Sequence, residues 1–271
     1  MDVKFSGKLC VVTGAGSGIG RALAIALARR GARHAHCDNK EEGVSETARL
    51  AGAPAANAIR TDRLDVSDAG AIERYAAAVK ESLGDADFLF NVAGRTRLGD
   101  FENTPLDKFE EVMNVNFWGV VRMTKAFLPQ LTATKGGVVN ISSMFGLIGF
   151  RGQTHYCASK FAVRGFSEAL AVELEDAGVS VSSVHPGGVA TNIVRNAGVD
   201  VLPDGVADKA EFDRKFDKMA ITSAEKAAEI ILSGAAKGNR RIIVGKDAKF
   251  ISAIQRAFPQ SYAKVLKTLR G

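Results

Sequence analysis

The segment Lys8-Leu9-Cys10-Val11-Val12-Thr13-Gly14-Ala15-Gly16-Ser17-Gly18-Ile19-Gly20 begins with a short apolar run and ends in closely spaced glycines. The run reads as a buried strand and the glycines as a turn. From Ile19 to Arg30 the residues Leu23, Ile25, Ala26 and Leu27 then fall at helical spacing, with Gly31 as a stop. Strand, turn and helix in direct succession make the first half of a βαβ unit. The same alternation continues along the chain. Strands are expected at Arg33–Asp38, Asp87–Asn91, Gly137–Ser142, Val179–His185 and Arg241–Val244. Helices are expected at Glu73–Leu83, Leu106–Leu131, Tyr156–Asp176 and Ser223–Gly234. Alternation of this kind implies right-handed crossovers and a parallel sheet covered by helices on both faces. With no repeat, low-complexity segment or linker to divide the chain, residues 1–245 are expected to form one α/β domain.

Composition narrows the class further. Hydrophobic residues make up 46% and charged residues 24%, ordinary values for a globular protein, and no apolar run approaches the ~18 residues of a membrane span. The N-terminal Met1-Asp2-Val3-Lys4-Phe5 lacks the apolar core of a secretory signal, so a cytoplasmic location is expected. Cys10, Cys37 and Cys157 are too widely spaced for a metal-type pair or a disulfide framework, and no metal site is expected. The net charge of +6 is concentrated at the C-terminus. From Lys237 onward there are nine Lys or Arg and a single acid, Asp247. Nothing else in the chain resembles a nucleic-acid module. The basic stretch 246–271 reads as an amphipathic helical extension docked on its own domain, with weak contact to a membrane surface as the minority reading.

Three groups of residues carry chemistry. Glycines placed as Gly14-x3-Gly18-x-Gly20, after a strand and at the start of a helix, allow close approach of a pyrophosphate to free N–H groups and the positive end of the helix dipole. Asp38 ends the second strand about 20 residues further on, where a carboxylate accepts hydrogen bonds from the ribose hydroxyls of NAD and repels the 2′-phosphate of NADP. Tyr156 and Lys160 stand at i and i+4 on one helix face, where a lysine cation favours the phenolate. Ser143 is placed to hold the same substrate oxygen. Together these residues suit hydride and proton exchange between a nicotinamide and an alcohol or carbonyl.

Thr13-Gly14-x-x-x-Gly18-Ile19-Gly20, Asn91-Val92-Ala93-Gly94, Asn116, Ser143, Tyr156-x-x-x-Lys160 and Pro186-Gly187-x-Val189-x-Thr191 are similar, in order and spacing, to the short-chain dehydrogenase/reductase family. The resemblance covers about residues 5 to 245, with one small departure at Val92, where many members have Asn. It implies a doubly wound Rossmann fold, Tyr156 as general acid/base, Ser143 as orienting residue, and Lys160 lowering the phenol pKa and binding the nicotinamide ribose. It further implies that Asn116 holds a water of a proton relay. Gly14, Ser17, Gly18, Ile19, Asp38, Asp65, Val66, Asn91, Ala93, Gly94, Tyr156, Lys160, Pro186, Gly187, Val189 and Thr191 would line the cofactor. Members are commonly homodimers or homotetramers.

The substrate is expected to lie against Met144–Gln153, where Phe145, Leu147, Ile148 and Phe150 favour a lipophilic alcohol or ketone. Arg95, Arg97, Arg151 and Arg195 either clamp an anionic group or face water. Residues 192–221 read as a lid. His155 is expected to face substrate or solvent and to take no part in the proton route. Two alternatives stay open at this point: an NADP-dependent ketone reductase, 3-oxoacyl substrates included, and a dinucleotide-binding redox sensor without turnover.

Overall fold

A computed structural model of the chain describes residues 3–52, 59–203 and 205–269. The parts of the expected domain, lid and basic extension that fall on the remaining positions, Arg270 among them, lie outside the described residues. The strands are β1 (Leu9–Thr13), β2 (Arg33–Asp38), β3 (Ile59–Arg63), β4 (Phe88–Asn91), β5 (Arg97–Leu98), β6 (Gly137–Ile141), β7 (Ser180–Pro186), β8 (Gly198–Val199) and β9 (Arg241–Val244). The helices are α1 (Gly18–Ala28), α2 (Glu41–Ala51), α3 (Ala69–Leu83), α4 (Leu106–Met113), α5 (Gly119–Thr134), α6 (Thr154–Glu173), α7 (Lys209–Met219), α8 (Ala224–Ala236), α9 (Lys246–Ala257) and α10 (Tyr262–Thr268).

Seven strands form one parallel sheet in the order β3-β2-β1-β4-β6-β7-β9. The chain starts at the centre, steps outward to β3, then crosses back to β4 and continues to the other edge. The strand order therefore reverses between β1 and β4, and the crevice beyond their carboxyl ends is where such sheets bind ligands. One apolar core lies under α1 and α8, with Val12, Leu23, Leu27, Phe90, Ile231 and Val244 among its residues. A second lies on the opposite face around Val11, Ile72, Leu89, Met123, Phe127 and Val181. This is the doubly wound Rossmann arrangement.

Among the elements unread in the sequence, beside the short strands β5 and β8 and helix α7, two belong to the first half of the sheet. Helix α2 and strand β3 fill the stretch between Asp38 and α3, and both are polar. Ile59–Arg63 is an edge strand with no fully buried residue, so it carries little of the apolar signal that marks β1 or β4. The single helix read across 106–131 is three consecutive pieces, α4, a wider π-type turn at Asn114–Trp118 and α5. Such turns are a known device for redirecting a side chain at a functional site, and this one carries Asn116. Among the described residues no helix is long and apolar enough to cross a membrane.

All four histidines are fully buried, His155 included. Its place in the first turn of α6, with Nε2 donating to the Arg97 carbonyl at 3.2 Å, corrects the expectation that it faces substrate or solvent. Burial lowers His34 to about 4, His36 to about 3 and His185 to about 4 from an ordinary 6.5, and lowers His155 as well. His34 and His36 lie with ring centroids 5.0 Å apart, and none of their ring nitrogens finds a partner among the described residues. Below pH 6.5 an unfolded chain takes up protons that these buried rings refuse. Their contribution to stability is thus complete above that pH and is lost as pH falls toward their folded values. Urea denaturation should show a clearly lower midpoint at about pH 5 than at neutrality, with a shallower dependence in His36→Phe. A midpoint unchanged over that interval would contradict the assignment.

Candidate active site

The crevice between β1 and β4 is built from backbone that has no room for side chains. The Thr13 hydroxyl accepts from the N–H groups of Val92 and Ala93 at 2.9 and 3.0 Å, tying the end of β1 to the turn after β4. Gly14 has φ +64°, and a Cβ there would lie 2.8 Å from the backbone N and Cα of Ala93. Gly18 has φ +52° and faces Thr191, whose side chain a Cβ would meet at 3.1 Å. A Cβ on Gly20 would overlap the Gly14 carbonyl, so α1 packs directly on the turn. Ser17 precedes α1 without a side-chain capping bond, leaving the first N–H groups of the helix for another acceptor.

Asp38 closes the far side of this cradle. Its Oδ2 accepts from the Gly16 N–H at 2.9 Å and its Oδ1 from the Lys40 N–H at 2.9 Å, which fixes a negative charge beside the turn. The guanidinium of Arg21 donates to the Gly16 and Gly43 carbonyls and to Thr47. Asp65 is exposed, and its carboxylate accepts from the N–H and hydroxyl of Ser67 at 2.8 and 2.7 Å. Val66 is buried and lies with Thr13, Asn91 and Ala93 around a small interior gap. Exposed glycine at 94 and a steep drop in side-chain bulk along Ala93-Gly94 keep the mouth of the crevice open.

Beyond it stand the polar side chains of β6 and α6. Ser143 follows β6, and its backbone carbonyl accepts from His185 Nδ1 at 3.1 Å. Since a carbonyl only accepts, His185 carries its proton on Nδ1 and takes the Ser183 hydroxyl on Nε2 at 3.1 Å. Tyr156 lies in the first turn of α6, half-buried, with Phe145 edge-on at 6.2 Å. Burial pushes its phenol up to about 12, against the opposing pull of the nearby Ser143 hydroxyl. Lys160 is 2% exposed, and its Nζ donates to the Ile141 carbonyl at 2.9 Å and sits 5.5 Å from the Tyr156 ring centroid. Burial brings the ammonium down to about 8. The lowering of the phenol expected from the i, i+4 lysine is thus not what sets it here: desolvation dominates, and the group that opposes it is the Ser143 hydroxyl.

Gly94 separates Lys160 from Asn116: a Cβ on it would be 3.3 Å from Asn116 Oδ1 and 3.5 Å from Lys160 Nζ. Asn116 is fully buried; it accepts from the Arg95 N–H at 2.8 Å and donates to the Arg95 carbonyl and the Ser159 hydroxyl. Asn91 differs from the other residues read as lining a cofactor, because its amide points inward, donating to Asn140 at 2.8 Å and Thr124 at 3.1 Å. Pro186 and Gly187 follow β7, Val189 is buried, and Thr191 reaches back to Gly18. The turn after β1, Asp38, Gly94, Asn116, Ser143, Tyr156, Lys160 and the 186–191 loop therefore all gather at the carboxyl edge of the sheet.

The arginines read as an anion clamp are mostly engaged. Arg97 pairs with Asp200 in a nearly buried contact that fastens β5 to β8, the short strand within 192–221. Arg195 pairs with Asp217 at 2.8 Å and Arg95 with Glu111 at 3.4 Å. Sequence reasoning did not find Asn140, Ser159 or Asp200, since an isolated Asn, Ser or Asp carries no spacing signal.

The profile of the short chain dehydrogenase family matches residues 8–201. The chain belongs to this family. Over 266 residues it is 44% identical to a Mycobacterium tuberculosis protein provisionally named oxidoreductase SadH, covering 97% of this chain and 95% of that one. It is 37% identical over 232 residues to the mitochondrial D-beta-hydroxybutyrate dehydrogenase of Rattus norvegicus, covering 79% and 67%. The solved short chain dehydrogenase/reductase from Burkholderia phymatum in complex with NAD superimposes with a TM-score of 0.83 at 26% identity, covering 94% of each chain. As a short chain dehydrogenase the protein is an oxidoreductase acting on CH–OH groups.

Proposed function

We propose that this short chain dehydrogenase transfers a hydride between NAD and the carbinol or carbonyl carbon of a lipophilic alcohol or ketone. The observation that carries the reading is the placement of Tyr156, with Ser143 beside its phenol and Lys160 near its ring, at the open end of a glycine cradle. The cradle fits a dinucleotide: its glycines admit no side chain, its helix N-terminus is uncapped, and Asp38 sets a carboxylate against the turn. Bound there, the nicotinamide supplies or accepts the hydride.

The chain's own residues handle the proton. At neutral pH the Tyr156 phenol is protonated and the Lys160 ammonium is mostly charged, as their values near 12 and 8 require. In ketone reduction the phenol gives its proton to the developing alkoxide, and Ser143 donates a hydrogen bond to the same oxygen. In alcohol oxidation the phenol must first lose that proton, so the oxidative rate should climb as pH rises above neutrality. Asn116 and Lys160, on either side of Gly94, would link the phenol to solvent.

Apolar side chains favour the lipophilic class. Phe145 stacks on Phe150 at 4.7 Å, and Met219 and Ile221, at the end of the 192–221 segment, are exposed. Engagement of Arg95, Arg97 and Arg195 with acids argues against an anion clamp at those positions. The exposed Trp118, Phe161 and Val172 on the helices that carry Asn116 and Tyr156 support a homo-oligomer joined through them.

Cofactor choice follows from Asp38. Fluorescence titration should give NADH the tighter binding, and Asp38→Ala should remove most of that preference, on the order of tenfold or more. Equal or tighter NADPH binding by the wild type would overturn the NAD assignment.

A further inference from the structure

The tail from Lys237 onward carries nine basic residues and one acid, and that acid is the one built into the site's surroundings. Asp247 stands in the first turn of α9, where a carboxylate is favoured by the helix dipole. Its Oδ2 accepts the Gly188 N–H at 2.6 Å. Oδ1 is buried and has no partner among the described residues. The carboxylate lies so close to Gly187 and Gly245 that a Cβ on either would collide with it. Gly187 and the Gly245–Asp247 turn, about sixty residues apart in sequence, thus fit one another.

What this contact holds is the loop between β7 and the 192–221 segment. On one side of that loop Thr222 pairs with it: the Ala190 N–H donates to the Thr222 carbonyl at 2.9 Å, and the Thr222 N–H donates to the Gly188 carbonyl at 3.2 Å. On the other side the Gly187 N–H donates to the Val244 carbonyl at 2.9 Å, and Asp247 completes the grip. Four residues along, Thr191 rests on Gly18 of the cradle. A displacement at Gly188 is therefore passed to the wall of the dinucleotide crevice. The same helix pair makes a second, separate contact: the Tyr262 hydroxyl accepts the Gly149 N–H at 2.9 Å, on the apolar substrate side.

We propose that Asp247 is a positioning residue for dinucleotide binding, through which the C-terminal helix pair sets the place of the Gly187–Thr191 loop. The inference rests on the dinucleotide reading of the site. It gives the extension a task distinct from that of a solvated or lipid-seeking tail, and it separates the two tail contacts: Asp247 acts on the cofactor, Tyr262 does not.

NADH titration and thermal denaturation of the full chain test this, with NADPH substituted if the wild type prefers it. Asp247→Ala leaves the Gly188 N–H without its charged acceptor and is expected to raise Kd about tenfold. Asp247→Asn keeps the shape and a neutral acceptor, and is expected to fall between, at about threefold. Tyr262→Phe is expected to bind NADH as the wild type does. A graded Asp, Asn, Ala series beside an unchanged Tyr262→Phe supports the proposal. If Asp247→Ala does not fold, the Asp247→Asn and Tyr262→Phe pair decides by the same criterion. Wild-type affinity in the Asp247 variants, or equal weakening in Tyr262→Phe and Asp247→Asn, overturns it while leaving the dinucleotide site in place. A wild type that binds neither dinucleotide overturns both readings.

Discussion

Tyr156→Phe is expected to lose turnover by a factor of about 10² to 10⁴ while retaining its fold and its affinity for NADH. The substitution removes one oxygen and keeps the ring. The edge-on packing against Phe145 at 6.2 Å and the place of Lys160, whose Nζ is held by the Ile141 carbonyl, do not depend on the phenol. Only the proton donor goes. Ser143 remains, but a serine hydroxyl beside the substrate oxygen offers a hydrogen bond and no acid of comparable strength. Steady-state kinetics with NADH titration on the same preparation check the result. A variant that kept even a third of the wild-type rate would remove Tyr156 from the reaction, and one that lost NADH binding would make its role structural.

The second large effect is expected at Gly20. A Cβ there overlaps the Gly14 carbonyl oxygen, lies 2.7 Å from the Gly14 carbonyl carbon and 3.1 Å from Ala15 Cα. All of these are backbone atoms, and Gly14 has no room to retreat because its own far side already touches Ala93. Gly20→Ala must therefore push α1 off the turn or reshape the cradle. The expected outcome is destabilisation of about 3 kcal/mol and loss of measurable NADH binding. Gly165, within α6, has open space around it, so Gly165→Ala serves as the control and should be neutral or slightly stabilising. Equal behaviour of the two alanine variants in denaturation and NADH titration would show that α1 does not pack on the turn as described.

The legible parts of the sequence were those where one physical pressure acts alone. β1 is buried on both faces and reads as an unbroken apolar run, and the glycines after it read as a turn because steric exclusion allows little else. α6 could be found from apolar spacing, and its Tyr156 and Lys160 from their separation by one helical turn. Illegibility came where pressures competed. β3 is polar because it lies at the sheet edge, and the π-type turn at Asn114–Trp118 leaves no mark in a pattern whose period it shifts by one residue. Ion pairs such as Arg97–Asp200 join residues about a hundred positions apart, so the arginine looked free for substrate. The phenol of Tyr156 shows the same limit in chemical form. Spacing reveals that a cation is near, but burial, which pushes the phenol the other way, exists only once the fold closes over it.

Asp247 makes the complementary point. A single acid in a basic tail was visible in the sequence, and without the fold it had no partner to point to. The contact with Gly188 supplies one.

Transfer of a hydride between nicotinamide and a carbonyl carbon can be followed atom by atom with deuterium. The wild type would be incubated with NADH deuterated at C4 and a panel of lipophilic ketones, and the product alcohols analysed by NMR. Deuterium is expected on the carbinol carbon of at least one product, and is expected to be absent with Tyr156→Phe. Tight NADH binding with no deuterium transferred to any ketone, and none released from a matching panel of deuterated alcohols to NAD, would contradict it and leave a dinucleotide-binding protein without this chemistry.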